Sequence, residues 1–543
     1  MSVWENVFII IYLTVIGYLG FVGYKSTKNS TDYLLAGRNT HPLIMSLSYG
    51  ATFISTSAIV GFSGVAAWLG SSLIWLAFAN LFVGIFIAFV VFGDRTRKMG
   101  IKLGAHTFPE FLGKRFDSKF IQLFGGIIIT VFMPLYAAAV LIGGTHFIAS
   151  YFGADYHLSL LVFSLIITAY VIAGGLKSVM LTDALQGAIM FIAIIILVIF
   201  AFNAIGGFEA SLGKFDEVWQ NTVIPLQSVQ VEDFHAGSPN FLLKISTLWG
   251  FEGWNKMPIF LSDGWLFLVT SLVLGVGIGV LAQPQLVVRF MTVKSKQELN
   301  RGVLIGGIFI FGVMGLTYLV GALTNVWFYE YNEGKNALQS AGGVEQVMPL
   351  FITMAMPKWF SFVFLFALIS AAMSTLSSQF HTMGTAIGRD IYEQLFKAGK
   401  SSMFITRIGV VVMILCAVVL SYVFDKQPAI IARSTAIFFA LCASVFLPSY
   451  VGAIFWRKIT KAGAIASMFI GLVTSGFWLL FVHFQEAKAL GFCKMIFGTD
   501  SLFSGKIIFI DALIFALPLS ALAMIIVSLV TKGAESLAKK SFD

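Results

Sequence analysis

The chain has 543 residues, of which 58% are hydrophobic and only 11% charged, with a formal charge of +9 at pH 7. Soluble domains usually carry about a quarter charged residues, so this composition excludes a water-soluble fold of this length. The apolar residues are grouped in segments of at least about 20, the length a helix needs to cross the bilayer. We therefore predict one all-α integral membrane unit.

The hydrophobic segments predict about 13 transmembrane helices. Several exceed the minimum length, which allows for tilt or kinks. The predicted spans are 7–24, 42–69, 71–92, 120–150, 157–176, 179–204, 264–291, 299–328, 359–388, 403–424, 428–456, 462–484 and 507–531.

The basic residues predict the orientation of these spans. DRTRKMGIK, GKRFDSK, TVKSKQELNR and WRKITK all fall in connections on one side. By the positive-inside rule, that side is cytoplasmic. We therefore expect a protein of the cell membrane (plasma or inner membrane), with its N-terminus outside the cell and its C-terminus in the cytoplasm. The positive charge then reflects topology, and no nucleic-acid partner is expected. Segments 205–263 and 329–357 are predicted to be outside loops with short surface helices.

The second predicted span contains GATFISTS at 50–57. Three glycines make a continuous helix less secure there: Gly50, Gly61 and Gly64. A broken helix at membrane depth exposes carbonyl oxygens, which is tolerable where they line a cavity or hold an ion. The alternative is that these Ser and Thr hydroxyls bond to their own backbone.

The segment LISAAMSTLSSQ, residues 368–379, lies in the ninth predicted span. Its hydroxyl-bearing residues share one helix face through spacings of three and four. They are Ser370, Ser374, Ser377 and Ser378, with Thr375 beside them. Neutral hydroxyls and carbonyls are hard oxygen ligands suited to a small cation such as Na⁺. The alternative is a serine-rich packing seam.

Asp183, in IAGGLKSVMLTDALQG (172–187), is the clearest acidic residue inside a predicted span. Burying an isolated carboxylate there costs about 2.5–3.5 kcal/mol on insertion scales, so Asp183 is a candidate functional residue with a cation or hydroxyls as partner. A structural role near the inner face is the alternative. No nucleophile–base arrangement suggests an enzyme, and the glycine-rich GFEASLGKF lacks the spacing of a nucleotide-binding loop.

Three motifs together resemble the sodium/solute symporter family: STDYLLAGR (30–38), GGLKSVMLTDALQG (174–187) and AAMSTLSSQF (371–380). The resemblance implies a five-plus-five inverted-repeat, LeuT-like core. The expected divisions are a first helix and cytoplasmic loop at 1–41, repeat one at 42–204, an extracellular loop at 205–263, repeat two at 264–456, and C-terminal helices with a short tail at 457–543.

The resemblance also implies where ions bind. A Na⁺ site would use the carbonyls of Ala51, Ile54 and Ala371 and the hydroxyls of Ser374 and Thr375. In some members a second Na⁺ site, or an exit path, would use Asp183, Ser377 and Ser378.

Family logic places the solute against spans two, three, four and seven, with these candidate residues: Thr52, Phe53, Thr56, Ser57, Tyr136 and Gln283. The aromatic residues that proline carriers use upstream of their Gln-Pro pair fall at Val276 and Val280, and the acidic residue in their second span becomes Phe53. Where sugar carriers have Gln and Glu, this chain has Ala58 and Ala77.

The expected function is Na⁺-coupled import of a small organic solute by alternating access, with a monocarboxylate as the leading expectation. Pantothenate, a proline-like amino acid, or a proton-coupled carrier of the same fold are the alternatives. The expected partners are Na⁺, the solute and the lipid bilayer, without an obligate protein partner.

Overall fold

The computed structural model describes residues 3–235, 237–396, 402–425 and 430–531. Within these residues the regular elements are helices, and the one β-type contact is an isolated bridge between Thr40 and Val293. An apolar segment in lipid must satisfy its own backbone hydrogen bonds, and a helix does so within one segment. The all-α prediction is confirmed.

The helices of the bundle follow one another in the order α1 (Val3–Ser26), α2 (Pro42–Phe53), α3 (Ser57–Leu69), α4 (Ser71–Lys102), α5 (Phe108–Arg115), α6 (Lys119–Phe152), α7 (Tyr156–Thr168), α8 (Gly175–Ile205), α9 (Asp263–Ala282), α10 (Pro284–Phe290), α11 (Lys296–Tyr331), α12 (Lys358–Phe396), α13 (Phe404–Phe424), α14 (Ile430–Phe455), α15 (Lys461–Phe481) and α16 (Leu513–Val530). Shorter helices lie in the connections: Ser30–Leu35, Phe208–Thr222, Pro239–Leu248, Ala337–Ala341, Val347–Ala355, Phe484–Leu490 and Phe492–Phe497.

Eleven helices in the described part of the chain are long and apolar enough to cross a membrane, and α2 with α3 forms a twelfth span as a bent pair. The predicted span at 157–176 is represented by α7, which is shorter than the others. The prediction of 13 spans is therefore confirmed in outline, and the number itself is approximate.

The second predicted span is broken between α2 and α3, whose axes differ by 53°. The break lies at Ile54, which has extended backbone angles (φ −86°, ψ 94°), and not at the glycines where the sequence analysis placed the weakness. The Ser55 hydroxyl accepts a hydrogen bond from the Ser57 N–H at 3.1 Å, which replaces a helical bond lost there. Gly64 instead permits close packing, since a Cβ would lie 2.0 Å from the Val344 carbonyl oxygen.

The seventh predicted span is also broken, although the sequence analysis treated 264–291 as continuous. Gln283 is extended (φ −69°, ψ 121°) between α9 and α10. Pro284 follows it, and proline both lacks an N–H donor and disfavours helical angles in the preceding residue. The first long helix of each expected repeat is thus interrupted.

A third break separates α7 from α8 at Gly175, which has a positive φ of 61°. A Cβ there would lie 2.6 Å from the Tyr33 ring, so both backbone conformation and space favour glycine.

Helix α12 lies at the centre of the bundle and contacts α2, α6, α8 and α13. Its hydroxyl residues are consequently enclosed by protein instead of facing lipid, and Ser370, Ser374, Ser377 and Ser378 are each at most 1% exposed. The peripheral helix α1 presents many exposed apolar side chains, as a lipid-facing helix does.

Basic residues collect at one end of the bundle. Arg38 donates to the carbonyls of Gly100 and Ala105, and Arg97 donates to the Lys294 carbonyl. Arg95 lies over the Phe455 ring, 4.3 Å from its centroid, and Arg115 donates to the Ala453 carbonyl. We call this end, defined by Arg38, Arg95, Arg97, Arg115 and Arg389, the basic face.

Candidate functional site

The break between α2 and α3 faces the hydroxyls of α12. Ser374 Oγ donates to the Ala51 carbonyl at 2.8 Å and to the Ala371 carbonyl at 3.2 Å. Thr375 Oγ1 donates to the Thr52 carbonyl at 3.0 Å and lies 3.4 Å from that of Ala51. We call Ala51, Ala371, Ser374 and Thr375 the neutral cluster. Its members are four of the five residues expected to form the Na⁺ site.

Ile54, the fifth expected ligand, lies in the same break and is fully buried. Interrupted α2 leaves carbonyls without helical partners, and α12 supplies hydroxyls at the same depth. A hydroxyl that donates to a carbonyl keeps acceptor lone pairs and can rotate, so this set of oxygens can turn toward a cation.

A second cluster surrounds Asp183 on α8. Its Oδ2 atom accepts from Ser48 Oγ at 2.9 Å and lies 3.0 Å from Arg289 Nη2. Thr52 Oγ1 and Ser378 Oγ approach the same oxygen at 3.3 and 3.4 Å, and Ser377 Oγ approaches Oδ1 at 3.3 Å. We call these six residues the charged cluster.

Arg289 on α10 directs its Nε and Nη2 donors into this cluster. Its Nη2 donates to Thr52 Oγ1 at 2.5 Å and to Ser378 Oγ at 2.6 Å, and its Nε donates to Ser48 Oγ at 3.1 Å. Its Nη1 donates to the Gln285 carbonyl at 2.6 Å. Side chains this deeply buried carry charge at a tolerable free-energy cost only when paired and hydrogen-bonded.

Arg289 was not among the residues expected from the sequence to form a site. It lies in GVLAQPQLVVRFM, and a basic residue inside a predicted span is by itself a candidate functional residue. It lies in the last turn of the predicted span at 264–291, and no role was expected for it there. Ser48 was missed for a different reason, because a lone serine in a membrane helix carries little signal.

The expected solute-binding residues separate into different surroundings. Tyr136 stacks on Phe438, with ring centroids 5.8 Å apart, and meets Phe439 edge-on at 5.4 Å. Phe53 lies 6.1 Å from Phe439, so an aromatic group encloses this region. Thr52 is directed into the charged cluster instead of this group.

The polar candidates are only partly satisfied. Thr56 Oγ1 donates to the Val140 carbonyl at 2.8 Å, and the Tyr136 hydroxyl lies 3.4 Å from Ser55 Oγ. Gln283 Oε1 accepts from Gln285 Nε2 at 2.7 Å. Ser57 Oγ and Gln283 Nε2 are buried without a hydrogen-bond partner among the described residues. Such atoms are costly unless something binds them.

These side chains form an occluded arrangement. Each expected solute-binding residue and each member of the two clusters is at most 3% exposed.

On the basic face, α5 is held against the end of α12. Arg389 donates to both carboxylate oxygens of Glu110, through Nε to Oε2 and Nη2 to Oε1 at 2.9 Å each, and Lys114 Nζ lies 2.8 Å from Oε1. Burial by itself raises the pKa of the Glu110 carboxyl, but hydrogen bonds from His106 and Arg389, the charge of Arg389 and a hydrogen bond from Lys114 outweigh it. The net result is a pKa well below the usual range.

Thr107 connects the same elements. Its Oγ1 atom accepts from the Glu110 N–H at 3.1 Å, which caps the first turn of α5, and donates to Asp390 Oδ1 at 2.7 Å.

The model of the sodium:solute symporter family matches residues 33–471. The chain is 28% identical over 531 residues to the osmoregulated proline transporter OpuE of Bacillus subtilis (strain 168), covering 96% of this chain and 94% of that protein. It is 29% identical over 469 residues to the high-affinity proline transporter PutP of the same strain, covering 85% and 89%. It is 28% identical over 520 residues to the sodium/proline symporter of Staphylococcus aureus (strain JH9), covering 93% and 91%.

Two solved structures have a similar fold. A substrate-bound, outward-open Na⁺-coupled sialic acid symporter superimposes with a TM-score of 0.71 at 16% identity, covering 98% of this chain and 99% of that one. A nucleobase-cation-symport-1 family transporter in a closed conformation superimposes with a TM-score of 0.52 at 14% identity, covering 95% and 99%. The chain therefore has the all-helical, LeuT-like transporter fold that the sequence predicts.

Proposed function

We propose that this chain, which belongs to the sodium:solute symporter family, couples the inward movement of Na⁺ to the uptake of a small amino acid of the proline kind. The observation that carries this proposal is the meeting of the α2–α3 break with the hydroxyls of α12, where Ser374 Oγ lies 2.8 Å from the Ala51 carbonyl oxygen. Oxygen atoms from two elements that belong to different expected repeats thus surround one point at membrane depth.

The neutral cluster supplies the chemistry that Na⁺ requires. Carbonyl and hydroxyl oxygens are hard ligands that bind without losing a proton, so Na⁺ binding there should depend little on pH. Because the ligands come from α2 and α12, a bound ion would hold these two helices together. It would stabilise conformations in which they touch over conformations in which they separate.

Coupling follows if Na⁺ and solute each bind the outward-facing conformation more tightly than the inward-facing one, because a ligand with equal affinity for both shifts nothing. Each positive charge that enters gains about 2.3 kcal/mol per 100 mV of membrane potential. We place the basic face in the cytoplasm, since Lys and Arg concentrate on that side of membrane proteins. Asp183, nearer that side, would assist the exit of Na⁺.

Arg289 bears on how many ions the protein carries. Its guanidinium occupies the position beside Asp183 and Ser378 where a second cation would bind, at 3.0 and 2.6 Å from their oxygens. A second Na⁺ at this position therefore requires Arg289 to withdraw. Arg289 follows Gln283 by six residues across the α9–α10 break, so such a movement would reach a residue expected to contact the solute.

The solute class is supported by the proline transporters among the relatives, which favour an amino acid over the monocarboxylate expected from sequence. The aromatic group of Phe53, Tyr136, Phe438 and Phe439 could enclose the apolar ring of proline and face its ammonium group. Gln283 Nε2 and Ser57 Oγ, which are buried without partners among the described residues, could donate to its carboxylate.

A monocarboxylate is the second candidate. The six expected solute-binding residues carry hydroxyls, aromatic rings and an amide, but no carboxylate to pair with an ammonium group. A small anion such as pyruvate or lactate needs only the donors of this set.

The test is uptake by purified protein in liposomes. Labelled proline, lactate, pyruvate and pantothenate are compared under an inward Na⁺ gradient, with choline replacing Na⁺ in the matched control. We expect accumulation of proline only with Na⁺. Uptake that persists in choline and follows a proton gradient would overturn Na⁺ coupling, and accumulation of lactate without proline would reassign the solute.

A further inference from the structure

A small cavity lies between residues of the charged cluster and the site where α5 docks. It has a volume of about 20 Å³, and its lining includes Arg289 and Ser378 from the charged cluster as well as Thr107 and Asp390. A cavity of this volume accommodates about one water-sized particle. Its lining includes residues of the charged cluster together with residues from the docking site of α5.

Hydroxyls follow this cavity along α12. Thr382 Oγ1 donates to the Ser378 carbonyl at 2.8 Å, and Thr385 Oγ1 donates to the Thr382 carbonyl at 2.9 Å. Both threonines line the cavity, and Asp390 lies one further turn along the helix. Oxygen-bearing side chains therefore continue along α12 from Ser378 of the charged cluster to the carboxylate of Asp390.

Asp390 is fully buried and half satisfied. Its Oδ1 atom accepts from Thr107 Oγ1 at 2.7 Å and from Gln122 Nε2 at 2.9 Å. Its Oδ2 atom has no hydrogen-bond partner in the described part of the chain. The adjacent Arg389 does not compensate it by direct contact, since its guanidinium contacts Glu110 and Glu393.

Two further unpartnered atoms line the same cavity. Gln285 Oε1 and His381 Nε2 are buried without a hydrogen-bond partner among the described residues. Buried polar atoms without partners are uncommon in proteins because each costs free energy. Three of them around one small cavity indicate a bound polar particle, and the carboxylate favours a cation.

We propose that Asp390 is a transit site for Na⁺ on its way from the charged cluster to the cytoplasm, with Asp390 Oδ2, Gln285 Oε1 and the Thr385 hydroxyl as oxygen ligands. This assignment rests on the proposed symport function. Because Asp390 also holds Thr107, occupation of the site would be felt by α5, the element that covers the cavity on the basic face. Release of Na⁺ and displacement of α5 would then be linked through one carboxylate.

The test measures inhibition of uptake by Na⁺ inside the liposomes, at a fixed outside Na⁺ concentration and with one orientation of the protein selected. Asp390→Asn removes the charge but keeps the Oδ1 acceptor for Thr107 and Gln122. We expect the inside Na⁺ concentration for half-inhibition to rise about 5- to 10-fold, with the outside half-saturating concentration unchanged within about twofold.

Two matched variants separate ion binding from helix docking. Thr107→Val removes a hydrogen bond to the same carboxylate while leaving its charge, and it should shift inside Na⁺ inhibition by less than about twofold. Thr385→Val removes a proposed ligand without touching Asp390 and should shift it in the same direction as Asp390→Asn, but less. If Asp390→Asn does not elute as a folded protein, Thr385→Val provides the test of the site instead.

Unchanged inside Na⁺ inhibition in Asp390→Asn, or in Thr385→Val if the first variant fails to fold, would overturn the transit site while leaving Na⁺-driven uptake intact. An equal shift in Thr107→Val would assign Asp390 to docking of α5 alone. Wild-type uptake that ignores Na⁺ would instead overturn the proposed function and this site with it.

Discussion

The neutral cluster and the charged cluster are adjacent, because Ala51 belongs to the first and its neighbour Thr52 belongs to the second. The two clusters nevertheless stabilise their buried polar groups in different ways. In the neutral cluster, hydroxyls and carbonyls bond to one another without formal charge. In the charged cluster, Asp183 and Arg289 cancel each other within a shell of hydroxyls. An arriving cation can therefore join the first cluster by rotation of hydroxyls, whereas in the second it must compete with a tethered guanidinium.

The largest expected effect comes from breaking the charged cluster. Asp183→Ala leaves Arg289 buried without its carboxylate, and removing one partner of a buried ion pair costs about 3–5 kcal/mol of stability. Thermal unfolding of the purified protein in detergent measures the loss. Lys335→Ala, which removes an ion pair with the exposed Glu333, is the matched control and should leave the midpoint unchanged.

The double variant Asp183→Leu with Arg289→Met sharpens this comparison. We expect it to recover much of the stability lost by Asp183→Ala, because apolar residues can replace a buried pair, while transport stays impaired. Full transport by the double variant would contradict a role for either residue in ion movement.

The next effect is expected in the neutral cluster. Ser374→Ala or Thr375→Ala removes one oxygen ligand and should raise the half-saturating outside Na⁺ concentration about 5- to 10-fold, equivalent to about 1–1.4 kcal/mol. Initial rates of uptake as a function of Na⁺ measure this. Thr375→Ser keeps the hydroxyl and is the control.

Because the neutral cluster has no titratable ligand, the shift should be the same at pH 6 and pH 8. Wild-type Na⁺ dependence in both alanine variants would remove these residues from the Na⁺ site.

An ion-pair network on the basic face, around Glu110, extends the comparison to the pH dependence of stability. The pKa of Glu110 is lower in the folded protein than its unfolded value of about 4.3, so the unfolded state binds more protons in acid. Its contribution to stability is present above about pH 4.3 and is lost as the pH falls below that value. Glu110→Gln should lower stability at pH 7 by about 1–3 kcal/mol and reduce the acid sensitivity of unfolding.

Unfolding midpoints of the wild type and Glu110→Gln, measured from pH 7 down to about pH 2, test this prediction. The two curves should converge in acid. Parallel curves would show that Glu110 titrates alike in the folded and unfolded states.

The smallest effect is expected at the aromatic group. Tyr136→Phe keeps the ring contacts with Phe438 and Phe439 and removes only a hydroxyl 3.4 Å from Ser55. We expect the solute KM to change by less than about threefold and Na⁺ dependence to stay the same. Phe439→Ala, which opens the group, should raise KM more. Equal effects of the two variants would mean that the hydroxyl itself binds the solute.

The all-α membrane fold could be predicted from sequence because apolar length and the distribution of charge act locally along the chain. The hydroxyls of α12 were identified for a similar reason, since helical spacing places residues three and four apart on one face. Their assignment to Na⁺ binding, like the division of the chain at 42–204 and 264–456, stays a prediction.

One error came from a feature that depends on distant segments, and another from a local signal that was not used. The first break falls at Ile54 instead of Gly50, Gly61 or Gly64, because partners such as the Ser55 hydroxyl and the facing α12 satisfy the backbone there. The break at Gln283 had a local signal in Pro284, which the sequence analysis did not use.

The sequence by itself determined that the chain is a helical membrane protein, which helices carry oxygen atoms, and that a carboxylate lies at membrane depth. Only the tertiary structure decided which charge faces which. Arg289 meets Asp183 across 106 residues of chain, and Asp390 meets Thr107 across 283. Composition and periodicity describe one element at a time, whereas electrostatic pairing depends on how separate elements are packed together.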